Sequence, residues 1–166
     1  MDKSEHKRVL IVEDDPMVVK NIKERLERYA SDITILEAID GGSALRLLLE
    51  NRDFTHCVLV LDLMMPYGHA LEELEGRNDP ECWETGIRVL EWLRNHEDPG
   101  KRLWVAVTTA RNEPDALHRI RELLGKHGRL FLKPFDPYAF EHSLALALGL
   151  PSKVPVAFQP RDEPKE

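Results

Sequence analysis

Four places along this chain carry the residue types of a phosphoryl-handling site: Glu13-Asp14, Asp62, Thr109 and Lys133. Each closes or follows a short apolar run. Val9-Leu10-Ile11-Val12 precedes the paired acids, Val58-Leu59-Val60-Leu61 precedes Asp62, Val105-Ala106-Val107 precedes Thr108 and Thr109, and Leu130-Phe131-Leu132 precedes Lys133. Carboxylates suit a hard divalent cation, and an ammonium or a hydroxyl suits phosphoryl oxygens. Such chemistry requires the four places, far apart in sequence, to converge.

Short apolar runs separated by helical patterns read as parallel strands covered on both faces. In open sheets of that kind the working site lies beyond the carboxyl ends of the strands, which is where all four places fall. Asp15-Pro16 supplies an N-cap followed by proline at N1, and Val18, Val19, Ile22 and Leu26 recur at helical spacing, predicting a first helix to about Tyr29. Ile33 to Ala38 reads as the second strand, and the turn at Asp40-Gly41-Gly42 leads to a helix carrying Ala44, Leu45, Leu47, Leu48 and Leu49. The third strand spans about Cys57 to Leu61. Ile87, Val89, Leu90, Trp92 and Leu93 place a third helix, stopped by Asp98-Pro99-Gly100. The fourth strand is about Leu103 to Thr108, and Glu113-Pro114 starts a helix through Leu124 that Gly125 and Gly128 close. A fifth strand at about Leu130 to Leu132 and a last helix from Pro137 to Leu148 complete an α/β, doubly wound pattern.

With 166 residues the chain suits one domain plus appendages, with a core large enough to need no disulfide or metal. A net charge of −7 with acids and bases interspersed argues against a nucleic-acid surface. The two cysteines, Cys57 and Cys82, read as unpaired thiols of a reducing compartment, and no apolar run approaches a membrane span. The expectation is a soluble, cytoplasmic protein.

Val9 to Pro16 (Val-Leu-Ile-Val-Glu-Asp-Asp-Pro), Leu61 to Pro66 (Leu-Asp-Leu-Met-Met-Pro), Thr109-Ala110 and Lys133-Pro134-Phe135, in that order and each at a strand end, resemble the signature segments of the receiver domain of bacterial two-component response regulators. The resemblance covers about Lys7 to Leu150. It implies a flavodoxin-like five-stranded parallel sheet of order 2-1-3-4-5 with helices on both faces. It also implies a phosphoacceptor signalling domain, not an enzyme, that takes its phosphoryl group from a sensor histidine kinase or a histidine phosphotransfer protein.

Asp62 is the candidate nucleophile, since a carboxylate oxygen can attack phosphorus and become an acyl phosphate. Crowded carboxylates repel one another until a cation neutralises them, and magnesium, with manganese able to replace it, fits that need. By resemblance, Asp14 and Asp62 ligate the ion directly, Glu13 acts through a water, and the backbone carbonyl of Met64 adds a ligand. Asp15 is better explained as the helix N-cap. Lys133 should reach the phosphoryl oxygens, and family members place a cis peptide before the residue matching Pro134. Thr109 should donate its hydroxyl to a phosphoryl oxygen; Thr108 competes, but successive strand side chains face opposite ways and the Thr-Ala pair matches Thr109-Ala110. Ala110 leaves room for the phosphoryl group.

The chain departs from the family pattern at Leu130, where many receivers carry the Tyr or Phe of the phosphorylation switch. Phe131 should face the other side of the sheet. Met64 and Arg111 occupy positions that in the family modulate access of hydrolytic water. Residues 67–85 form an insertion in which Glu72, Glu73, Glu75, Asp79, Glu81 and Glu84 face only Arg77. It reads either as a solvated short helix over 70–75 or as a lid or partner-docking element. The glycine that usually opens the third helix soon after the proline is here Gly86. Residues 1–6 and the proline-rich 151–166 read as tails around a body at 7–150. Two other classes use related chemistry or folds. An Asp-nucleophile phosphatase would need an acid after the nucleophile, where Leu63 and Met64 stand. A flavin module would need a phosphate-cradling loop where Glu13-Asp14-Asp15 would repel phosphate.

Overall fold

A computed structural model describes residues 6–28, 33–68 and 84–151. The expectations for Tyr29, for a short helix over 70–75, for Cys82 and for all but the innermost residues of the tails fall outside them. Strands β1 (Lys7–Val12), β2 (Ile33–Ala38), β3 (Cys57–Asp62), β4 (Trp104–Thr109) and β5 (Gly128–Leu132) form one parallel sheet in the order β2-β1-β3-β4-β5. They alternate with helices α1 (Pro16–Glu27), α2 (Gly41–Glu50), α3 (Thr85–His96), α4 (Pro114–Leu124) and α5 (Pro137–Ala147). This is the doubly wound order expected from the sequence.

The two-residue period of the strands divides the core into two layers. Leu10, Val12, Leu59, Leu61, Val105 and Val107 pack with Leu45 and Leu48 of α2, Leu90 of α3 and Ile120 of α4. Val9, Ile11, Val58, Val60, Ala106 and Phe131 pack with Val19 and Ile22 of α1 and with Phe140 and Leu144 of α5. Each fully buried aliphatic or aromatic side chain contributes about 1.5–3 kcal/mol, and the central strands β1 and β3 are buried almost throughout. The alternation carries on to the strand ends. Asp62 continues the row of Val58 and Val60, whereas Thr109 continues the row of Val105 and Val107.

Helix starts follow their caps. The Asp15 carboxylate accepts from the Met17 N–H at 2.8 Å with Pro16 behind it, Asp136 does the same for Tyr138 at 2.9 Å, and Asp40 forms a capping box with Ser43. Each such cap is worth about 1 kcal/mol. Asp15 is thus the N-cap that the sequence indicated.

Several boundaries differ from the sequence reading. The first helix ends at Glu27, and β4 runs one residue later, from Trp104 to Thr109. Gly128 does not close α4 but begins β5, pairing with Val105; a Cβ there would lie 2.4 Å from the Val105 carbonyl oxygen, so only glycine permits this approach. Cys57 is a buried free thiol, its pKa pushed up to about 12 by burial.

Candidate functional site

The carboxyl ends of β1, β3 and β5 bring together residues 13, 14, 62 and 133. Glu13 follows the last residue of β1, its N–H bound to the Ala38 carbonyl at 3.0 Å, and Asp62 is the last residue of β3. Both are buried, while Asp14 beside them is exposed. One carboxylate oxygen from each of Glu13, Asp14 and Asp62 lies within 4.8 Å of the others. The Lys133 ammonium donates to Glu13 Oε2 and to Asp62 Oδ1, both at 3.2 Å. The peptide bond between Lys133 and Pro134 is cis.

Burial, then the neighbouring Asp62 charge, raises the pKa of Glu13, and burial raises that of Asp62, with Lys133 opposing in both cases. Burial alone would lower the Lys133 pKa, but the charges of Asp62 and Glu13 and the hydrogen bonds to both outweigh it and hold the pKa above its ordinary value. Three carboxylates therefore face one ammonium, and two of them are kept from water. A small divalent cation would restore the balance. The donor set is all oxygen, as magnesium prefers, and the exposed Asp14 would give a cation an approach from solvent.

The other expected residues lie at the same edge without joining this cluster. The backbone N–H groups of Leu63 and Met64 favour the charged form of the Asp62 carboxylate, and the Met64 side chain is exposed. Thr109 is wholly buried; its Oγ1 accepts from the Arg111 N–H at 3.0 Å, which leaves the hydroxyl proton to donate, and its carbonyl accepts from the Lys133 N–H at 2.7 Å. Thr108 is the residue in register with Asp62, and Ala110 is exposed. Leu130 packs against the layer of α2, α3 and α4, whereas Phe131 lies on the opposite face, edge-on to Phe135 and Phe140. Phe131 therefore does not substitute for an aromatic at position 130.

Sequence reasoning missed what holds the segment after Asp62. The α2 N-terminus donates from Gly41 and Gly42 to the Pro66 and Tyr67 carbonyls, both at 2.9 Å, and the α3 N-terminus donates from Gly86 to Leu63 O at 3.1 Å. Gly41 and Gly42, three and four residues after the end of β2, and Gly86 at the start of α3 were the available signal.

This architecture recurs in solved structures. The signal receiver domain of a DNA binding response regulator protein (merR) from Colwellia psychrerythraea 34H is 21% identical, with 86% of this chain and 98% of that one covered and a TM-score of 0.61. This chain has the receiver fold. The receiver domain of Francisella response regulator 1452 is 22% identical over 86% of this chain and 97% of that one, TM-score 0.59. The BeF3-activated N-terminal receiver domain of Klebsiella pneumoniae RstA is 21% identical over 86% and 98%, TM-score 0.58. No family model and no curated protein matches the sequence. What the receiver fold does in this chain thus rests on the side chains at its strand ends.

Proposed function

We propose that this protein is a phosphoacceptor domain of two-component signalling, accepting a phosphoryl group on Asp62 from a phosphohistidine of a sensor kinase or phosphotransfer protein. The observation that carries this reading is the Lys133 ammonium bridging buried Asp62 and Glu13 beside exposed Asp14, at the end of the sheet where such folds do their chemistry.

A carboxylate oxygen of Asp62 attacks phosphorus, the P–N bond to the donor imidazole breaks with its electron pair going to nitrogen, and an acyl phosphate forms. Lys133 favours the ionised, nucleophilic form of Asp62 against its burial. Once charge moves onto the phosphoryl oxygens, the same ammonium is placed to follow it. Thr109 offers its hydroxyl proton, and the small Ala110 leaves space. Asp14, Asp62, Glu13 and the Met64 carbonyl are the groups that would hold a magnesium or manganese ion, which when bound supplies charge neutralisation for the phosphoryl group. No acid follows Asp62, so Leu63 and Met64 give water no general base there, which favours a stored phosphoryl group over enzymatic turnover. Among the described residues no helix is long and apolar enough to cross a membrane, in keeping with a cytoplasmic setting and a protein partner downstream.

Incubation with acetyl phosphate and magnesium, followed by intact-mass measurement, tests the reading. A single hydroxylamine-labile adduct that Asp62→Asn lacks is the expected result. Labelling of Asp62→Asn at another residue, or multiple-turnover phosphate release with no adduct, would overturn it.

A further inference from the structure

Helix α3 meets the strand that carries Asp62 backbone to backbone. A Cβ placed on Gly86 would lie 2.3 Å from the Asp62 carbonyl oxygen, 2.5 Å from Leu63 Cα and 3.0 Å from Leu63 Cδ2. The first two are backbone atoms and cannot swing aside as a side-chain end would. The Gly86 N–H meanwhile donates to the Leu63 carbonyl at 3.1 Å. On its other side, Leu63 follows Asp62 directly and is tied to β4: its N–H donates to the carbonyl of Thr108, the residue in register with Asp62, at 3.3 Å. Leu63 is therefore a link whose carbonyl is held by α3 and whose N–H is held by β4.

We propose that Gly86 is a positioning residue for the chemistry at Asp62. The missing side chain lets the first turn of α3 seat on the Asp62-Leu63 backbone, and the Gly86 N–H fixes the Leu63 carbonyl. Together they hold the Asp62 carboxylate in register with Glu13, Asp14 and Lys133. Any side chain at position 86 has to push the Asp62 carbonyl outward to reach ordinary contact. That displacement moves the backbone that carries the Asp62 carboxylate and with it the 3.2 Å bond from Lys133. The inference rests on the reading of Asp62 as acceptor.

Gly128 supplies a matched control. A Cβ there meets Val105 O at 2.4 Å and Leu124 Cδ2 at 2.6 Å, a clash of similar severity at the amino end of β5, the opposite end of the sheet from Asp62. Gly86→Ala and Gly128→Ala should both lose stability, measured by urea unfolding. Only Gly86→Ala should slow adduct formation from acetyl phosphate at saturating magnesium, by at least about tenfold per folded molecule, since misplacing reacting atoms by ~1 Å can cost ~10²-fold. Rates for the two variants within about twofold of each other would overturn the proposal. If Gly86→Ala does not fold, the wild type decides: on addition of magnesium and beryllofluoride the Gly86 amide resonance should move while that of Gly128 stays, and an unmoved Gly86 amide would overturn it. Failure of the wild type itself to form the adduct marks failure of the acceptor reading instead.

Discussion

Arg94 and Glu97, at the amino ends of the strands, and Glu13, Asp62 and Lys133, at the carboxyl ends, are both buried groups of charge, and they are completed differently. The Arg94 guanidinium donates to Glu97 Oε1 at 2.6 Å and to the carbonyls of Leu123, Leu103 and His127 at 2.8, 3.1 and 3.2 Å. The other Glu97 oxygen accepts from the Leu103 N–H at 3.0 Å. One buried acid meets the buried Arg94 and, at 3.8 Å, the partly exposed Arg102, and backbone groups take up the remaining bonding capacity, so α3, α4 and the entries to β4 and β5 are pinned together. At the other end a single ammonium is shared by two buried acids with a third nearby. The first arrangement is closed and structural. The second is short of positive charge and so favours uptake of a cation.

The sharpest way to break this comparison is at the proposed nucleophile: Asp62→Asn should abolish adduct formation in the mass assay while the protein remains folded, because it removes an acid from the side already in excess. Next in size is Arg94→Leu, which removes the buried partner of Glu97 and leaves it only the partly exposed Arg102 at 3.8 Å. It should lower unfolding stability by roughly 3–5 kcal/mol, read from urea titration, yet leave adduct formation per folded molecule unchanged. Equal damage to labelling would show that the two ends are not independent.

A third prediction concerns pH. Glu13 and Asp62 have raised pKa values in the fold, burial being the largest cause. For such acids the stabilising contribution is complete below the unfolded-state values, near 4, and is lost as pH rises through the raised values. Without divalent cations the wild type should therefore lose stability relative to Asp62→Asn as pH climbs from about 4 toward neutrality. Magnesium should remove that difference. Lys133, also raised, contributes stability below its ordinary 10.5 that disappears only at higher pH, so it does not blur the acidic window. A wild-type advantage that grows with pH in metal-free buffer would contradict the excess-acid picture.

The smallest expected effect is at Thr85, a buried residue at the start of α3 whose hydroxyl has no hydrogen-bond partner among the described residues. Thr85→Val keeps the shape and removes the unsatisfied group, and should stabilise by roughly 1 kcal/mol in urea unfolding. A loss of stability would mean that the hydroxyl is engaged.

The two ends were unequally legible. Glu13, Asp62 and Lys133 each close an apolar run, and a polar residue at the end of a buried strand stands out in one dimension; the sheet order then follows from alternation of strand and helix. Arg94 and Glu97 lie three apart at the end of a helix among other charges, a pattern that ordinarily marks a solvated face. Apart from Arg102, their partners are backbone groups of Leu103, Leu123 and His127, which no side-chain pattern records. Gly86 falls between these cases: its place at the start of a helix was readable, but its approach to Asp62 depends on how α3 seats on β3, which is a tertiary fact. Gly128 was misread because a glycine after a helix more often ends that helix than begins a strand.

The bonds from Gly41 and Gly42 to Pro66 and Tyr67, and from Gly86 to Leu63, have a further consequence. Gly68, at φ 80° and seated over the Asp40 carboxylate, and Gly86, at the start of α3, are two moorings on either side of residues 69–83. The chain therefore leaves the end of β3 and enters α3 at two points fixed by backbone hydrogen bonds to helix starts, so the sheet end that carries Asp62 is held from two helices at once.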